Sequence, residues 1–187
     1  MKVKTLASAI MAVTLAATSA GVMAADKDQG KGIITFKGTI IDAPCSIAQD
    51  SQFQTVEMAQ VSNVALRNGG KSQPTPFKIE LLGCDLGALK SATATFNGSP
   101  AANPDLLALK GSAGGASLAI ADHKGELIKL GAASPAQSLS NGDTYLQFSA
   151  YLQGDTTAGE NEGDPAKASD ITTGEFETFA NFTLAYQ

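Results

Sequence analysis

Apolar and polar residues alternate strictly at two places in the chain, one near each end. Residues 30–41 place on one face a set that is apolar or glycine: Gly32, Ile34, Phe36, Gly38 and Ile40. Residues 174–187 do the same with Ala180, Phe182, Leu184 and Tyr186, while the residues between them are polar or small. A period of two predicts a β-strand at each place. No residue follows the second strand to cover its edge, so we expect another segment to pair with it.

Shorter alternating stretches, separated by turn residues, fill the region between these two. They predict an opening strand after Gly38 and internal strands near residues 77–81, 92–96, 118–120, 127–130 and 145–152. Pro74 and Pro76 precede the first internal strand, and Asn141-Gly142-Asp143 forms a turn before the last. Residues 105–109 predict one helical turn at most, and residues 97–115 and 154–174 have loop composition. This spacing predicts an all-β sandwich.

The first 24 residues have the pattern of a secretory signal peptide. Lys2 and Lys4 precede an apolar run over residues 6–17, and small residues lead to Val22-Met23-Ala24. We expect cleavage after Ala24. The alternative is a membrane anchor, but the apolar run is too short to span a bilayer comfortably.

Removal of this segment leaves 163 residues, enough for one domain with a core of its own. Two of the 13 basic residues and none of the 18 acidic residues are removed, so 11 and 18 remain and the net charge is −7. Nucleic-acid binding depends on clustered Lys and Arg. We therefore expect no nucleic-acid partner.

Cys45 and Cys84 are the two cysteines of the chain, and both lie in the exported part. An oxidising compartment favours a disulfide, and two cysteines allow one intrachain pairing. A redox thiol pair or a metal site would be the alternatives, but no C-x-x-C spacing or histidine cluster supports them.

The order of these features resembles the subunits of chaperone–usher pili, and it is close to the rod pilins of P and type 1 pili. The matching residues are the alternating extension with Gly38 among its apolar positions, the motif Ala43-Pro44-Cys45-Ser46, the pair Gly83-Cys84, and Gly174 and Tyr186 near the end. The resemblance extends over essentially the whole mature chain.

The resemblance implies an incomplete immunoglobulin-like β-sandwich that lacks its seventh strand and is completed by a donor strand from a neighbouring subunit. It implies three regions: a signal peptide (1–24), a donor-strand extension (25–40) and a pilin domain (41–187). The donor residues would be Gly32, Ile34, Phe36, Gly38 and Ile40. The strand beside the groove would carry Gly174, Ala180, Phe182, Leu184 and Tyr186 and would first pair with a periplasmic chaperone. An outer-membrane usher would then direct assembly with identical or related subunits into an adhesive pilus on the cell surface.

Other functions find less support in the residues. The single histidine, His123, lies in a predicted turn without a nucleophile and base arrangement, so we expect no enzyme and no cofactor. Asp155, Glu160, Glu162 and Asp164 are a candidate calcium loop but lack the required spacing, so we expect no metal. A self-contained secreted binding module, for example for carbohydrate, is the alternative function. The chain has no Trp and three Tyr, which disfavours an aromatic sugar platform.

Overall fold

The computed structural model describes residues 30–157 and 167–187. The predicted signal peptide (1–24), the start of the extension (25–29), and Glu160, Glu162 and Asp164 lie outside the described residues. The chain divides into two units, one ending at Ile40 and one comprising Ile41–Gln187.

Two antiparallel sheets dominate the second unit. The larger sheet is formed by β1 (Ser46–Ile47), β2 (Thr75–Cys84), β4 (Leu107–Ala108), β6 (Ala116–Asp122), β7 (Leu127–Ile128) and β9 (Gly142–Gly154). Its strand order is β1-β2-β9-β6-β4, and β7 also pairs with β6. The smaller sheet is formed by β3 (Ser91–Gly98), β8 (Gln137–Ser138) and β13 (Ala180–Tyr186), and its strand order is β13-β3-β8.

Minor elements connect these strands. Two short strand pairs form between β5 (Lys110–Gly111) and β12 (Phe176–Glu177), and between β10 (Thr156–Thr157) and β11 (Lys167–Ala168). The helices are α1 (Gln49–Gln52), α2 (Asn63–Leu66) and a 3-10 turn at Arg67–Gly69. The Ser62 hydroxyl accepts a hydrogen bond from the Val64 amide and so caps α2.

The core lies between the two sheets. Alternate residues of β9 point into it, and Leu146, Phe148, Ala150 and Leu152 are all buried. Three aromatic rings from three strands meet there: the Phe96 ring of the smaller sheet lies 5.1 Å from Phe148 and 6.2 Å from Phe77 of the larger sheet, centroid to centroid. Edge-to-face contacts at these distances are favourable, so the two inner faces pack directly on each other.

A second, smaller cluster covers part of the outer face of the larger sheet. Leu106, from the connection between β3 and β4, packs there with Ala119, Ala121 and Tyr151. Strand β6 is consequently buried along its whole length. Its sequence has no alternation because neither of its faces meets water.

The predicted all-β architecture and the five internal strands are confirmed. Three details differ. The first strand of the sandwich begins at Ser46, and residues 39–45 form no strand. Residues 97–115 include β4 and β5. Residues 154–174 include β10 and β11. Residues 105–109, predicted to form one helical turn at most, form no helix, and Leu106 packs in the outer cluster whereas Leu107 packs in the core.

The described part of the first unit, residues 30–40, forms no helix or strand and is exposed. Phe36 is 87 % exposed, and Ile34 and Ile40 are also exposed. No strand is assigned to residues 30–41, so the strand predicted there and its pairing with another subunit stay a prediction.

Candidate functional site

The final strand, β13, is paired along one edge. It runs antiparallel to β3 from Ala180 opposite Gly98 to Tyr186 opposite Ala92. Beyond it, the Gln187 amide donates to the Ser91 carbonyl at 2.9 Å, which fastens the end of the strand. Within the described residues no strand pairs with the other edge of β13. This edge therefore presents a row of backbone groups that can bind another extended segment.

The side chains of β13 alternate as the sequence predicts. Phe182, Leu184 and Tyr186 are half-buried and pack on the core, whereas Asn181, Thr183 and Ala185 are exposed. Ala180, at the start of the strand, is exposed. Burial raises the pKa of the Tyr186 phenol above its ordinary value of 10.0. The apolar face of the strand is thus covered only in part.

A large groove opens beside the start of β13, where Ala180, Asn181 and Phe182 line it. It has a volume of about 1330 Å³, and its floor is formed by core side chains of several strands, among them Phe77, Ile79, Phe96, Leu118, Ile120 and Leu152. Small-molecule pockets typically enclose about 300–1,000 Å³. The size and the apolar floor of this groove fit a polypeptide segment better than a small ligand.

The first rim segment, residues 53–61, lines one part of the groove. Val56 and Met58 are half-buried, whereas Thr55 and Glu57 are exposed, so burial alternates here as it does along a strand. No hydrogen bond joins the backbone of residues 54–61 to any other residue that the structure describes. The groove therefore has a second stretch of backbone available for pairing.

The second rim segment, residues 171–182, leads into β13. It is held by the Ser112 and Ala113 amides, which both donate to the Glu175 carbonyl at 3.0 Å. The close approach explains Gly174, because a Cβ there would lie 2.7 Å from the Ser112 carbonyl carbon and 2.8 Å from the Ala113 nitrogen. Gly174 thus positions this rim rather than contacting the groove floor.

The charged residues that line the groove are all acidic. Glu57 lies on the first rim segment, and Glu175 and Glu177 lie on the second; all three are exposed. Among the described lining residues none is Lys, Arg or His. Lys110 lies opposite Glu177 in the strand pair of β5 and β12, and its Nζ is 5.9 Å from the Phe179 ring centroid.

The predicted disulfide between Cys45 and Cys84 is confirmed. It joins the residue before β1 to the last residue of β2, and both cysteines are buried. The turn before β9 supports the same corner, because Asn141 Oδ1 accepts the Leu86 amide and Asp143 Oδ1 accepts the Gly83 amide, each at 3.0 Å. The bridge thereby fixes the chain that leads into the first rim segment.

The other candidate sites are not assembled. His123 is exposed in the turn between β6 and β7. Asp155 accepts a hydrogen bond from the Ser117 hydroxyl at 2.5 Å, and the described residues contain no cluster of His, Cys, Asp or Glu able to hold a metal ion. Over the same part of the chain no helix is long and apolar enough to cross a membrane.

The structure places the predicted residues in two separate groups. Phe182, Leu184 and Tyr186 lie together on β13, with Gly174 on the rim segment before it. The five predicted donor residues lie in the first unit, where they are exposed: Gly32, Ile34, Phe36, Gly38 and Ile40. Sequence reasoning missed the first rim segment. The alternation of Val56, Glu57 and Met58 was the signal that could have identified it.

Comparison with known proteins gives a consistent result. The sequence model of the family described as "Fimbrial protein" matches residues 34–187. The Fimbria A protein of Serratia marcescens is 50% identical over 179 residues, covering 95% of this chain and 97% of that protein. The Major MR/P fimbria protein of Proteus mirabilis is 39% identical over 189 residues and covers 100% of both chains.

Solved structures show the same fold. One match is a chain from the structure of a chaperone–usher pilus that reveals the molecular basis of rod uncoiling. It superposes with a TM-score of 0.66 at 30% identity, covering 85% of this chain and 97% of that one. The P pilus rod subunit PapA gives a TM-score of 0.62 at 29% identity, covering 78% of this chain and 100% of that one.

Proposed function

The chain belongs to the Fimbrial protein family, and from that premise we propose that its groove receives the N-terminal extension of a second subunit. Like its relatives, it is a structural subunit of surface pili, exported through the periplasm. Its fold is the incomplete immunoglobulin-like sandwich of chaperone–usher pilins. The family is structural, so no catalytic role is assigned.

One observation carries the proposal: the groove offers two lengths of unpaired backbone above an apolar floor. The free edge of β13 borders it at residues 180–182, and the backbone of residues 54–61 has no hydrogen-bond partner within the described chain. An inserted extended segment would pair its own amide and carbonyl groups with these. No small ligand would satisfy both at once.

The extension has the side chains that such an insertion needs. Ile34, Phe36 and Ile40 share one face, and all three are exposed. Burial of each in the groove would stabilise the complex by roughly 1.5–3 kcal/mol. Gly38 shares their face, and we expect it to lie where the floor leaves no space for a side chain.

This arrangement makes a filament. Each subunit carries a donor segment and an acceptor groove, which are different surfaces, so the contact between subunits is heterologous and does not close on itself. One subunit after another can then be added to the same end.

Before assembly the groove needs a temporary partner. Its apolar floor and the free edge of β13 would otherwise pair with other chains and cause aggregation. We assign this role to a strand of a periplasmic chaperone, which would pair with β13 and cover Phe182, Leu184 and Tyr186. An outer-membrane usher would then bring the next subunit's extension to replace it.

The test uses a subunit that lacks residues 25–40, purified with its chaperone, and a free peptide of residues 30–41. The peptide should displace the chaperone and raise the thermal midpoint of the subunit. Insertion of one residue between Phe36 and Gly38 reverses the facing of all later residues and should abolish the gain. Gly38→Leu should do the same by overpacking.

Lys37→Ser is the matched control, because residue 37 lies on the opposite face from the donor residues and its substitution should leave the midpoint nearly unchanged. If the inserted-residue and Gly38→Leu peptides stabilise the subunit as well as the native peptide, the proposed register is wrong. If no peptide stabilises it, the groove does not take the extension.

A further inference from the structure

The donor segment of the extension, residues 30–41, and the groove carry opposite charges. This segment contains Lys31 and Lys37 and no acidic residue, whereas Asp26 and Asp28 precede it in the chain. The residues that line the groove contain Glu57, Glu175 and Glu177 and, in the described chain, no basic residue. The donor segment is therefore basic within a mature chain that is acidic as a whole.

The charged side chains of both segments alternate with apolar or less exposed residues. Glu57 is exposed between half-buried Val56 and Met58, and Glu177 is exposed between half-buried Phe176 and Thr178. Both carboxylates therefore point outward at the rim while their neighbours face the floor. In the extension, Lys37 alternates with Phe36 and Gly38, so it would face outward once Phe36 faces the floor.

We propose that the rim carboxylates attract the lysine-bearing face of a second subunit's extension and speed its insertion into the groove. This inference rests on the proposed function and adds a kinetic role for Glu57, Glu175 and Glu177. Charged groups at the exposed edge of an interface act mainly on the association rate, since water and salt screen them once they are paired. Lys110, opposite Glu177, offsets part of the negative charge but is outnumbered three to one.

The test measures the rate at which a labelled peptide of residues 30–41 enters the full-length mature subunit held by its chaperone. Raising the salt from about 0.05 M to 0.5 M shortens the screening length severalfold, so we expect the rate to fall about tenfold. The double variant Glu57→Gln, Glu177→Gln should be slow at low salt and nearly insensitive to salt. Its final complex should have an unchanged thermal midpoint.

Two matched controls separate the rim from the general acidity of the protein. The double variant Asp85→Asn, Glu126→Gln removes two exposed carboxylates that do not line the groove, and it should keep the native rate. In the peptide, Lys37→Gln should slow insertion, whereas Thr39→Gln, on the same face, should not.

The outcomes are distinguishable. Equal slowing by both double variants, or a native rate that does not change with salt, overturns the role of the rim carboxylates while leaving insertion itself intact. Failure of the native peptide to enter at any salt concentration overturns the proposed function instead.

Discussion

Replacement of Leu184 by Asp places a charge on the inner face of the final strand. Leu184 lies opposite Ala94 of β3, and its half-buried side chain packs on the core cluster. The change removes the apolar contact of a leucine, about 1 kcal/mol for a half-buried side chain. It also forces a carboxylate toward the apolar core cluster on which Leu184 packs, which costs several kcal/mol more.

The combined loss, on the order of 4 kcal/mol, is a large part of the net stability of a small domain. It should also block pairing with any strand that covers the groove. We expect the Leu184→Asp subunit to be degraded in the periplasm even when the chaperone is present. Quantitative immunoblots of periplasmic extracts, with pulse-chase labelling to separate degradation from synthesis, provide the measurement.

Thr183→Asp is the matched control. Residue 183 is adjacent in sequence, pairs with Thr95 and is exposed, so the same carboxylate there should change stability by no more than about 0.5 kcal/mol. Equal accumulation of the two variants would refute the assignment of the inner face of β13 to the groove and its partners.

Three further predictions concern the frame around the groove. Replacing Cys45 and Cys84 with serine should lower the free energy of unfolding by about 4 kcal/mol, as expected for a loop closed over a separation of 39 residues, and urea titration of the chaperone-released or peptide-bound subunit measures it. Gly174→Ala brings a methyl group 2.7 Å from the Ser112 carbonyl carbon, so the free energy of unfolding should fall by about 1–3 kcal/mol. A lower thermal midpoint of the subunit measures this loss. Burial raises the pKa of Tyr186 above 10.0, so near this pH the folded subunit keeps a phenol proton that the unfolded chain loses. The free energy of unfolding should therefore decline as the pH rises above about 10. Unfolding curves of Tyr186→Phe should lack this decline.

Much of the sandwich follows from period-two patterns in the sequence. Strands β2 and β13, and most of β3 and β9, have one face on the core and one toward water, so their sequences alternate. Strand β6 does not, because the cluster around Leu106 and Tyr151 covers its outer face. Its prediction depended on Leu118 and Ile120 alone.

The groove is less visible in the sequence because it is defined by what does not pair. Val56 and Met58 alternate like a strand, yet residues 54–61 have no backbone partner in the described chain, and no local pattern predicts that. The role of Gly174 likewise depends on its approach to Ser112, which is 62 positions away in the chain. Only the fold brings such residues together.

The most direct test of the account is an electron cryomicroscopy structure of filaments sheared from cells that produce this chain. We predict that residues 30–41 of one subunit form a strand between β13 and residues 54–61 of the next, with Phe36 on the apolar floor and Lys37 facing outward. A filament in which that groove is empty, or is filled by any segment other than the extension of a second subunit, would contradict it.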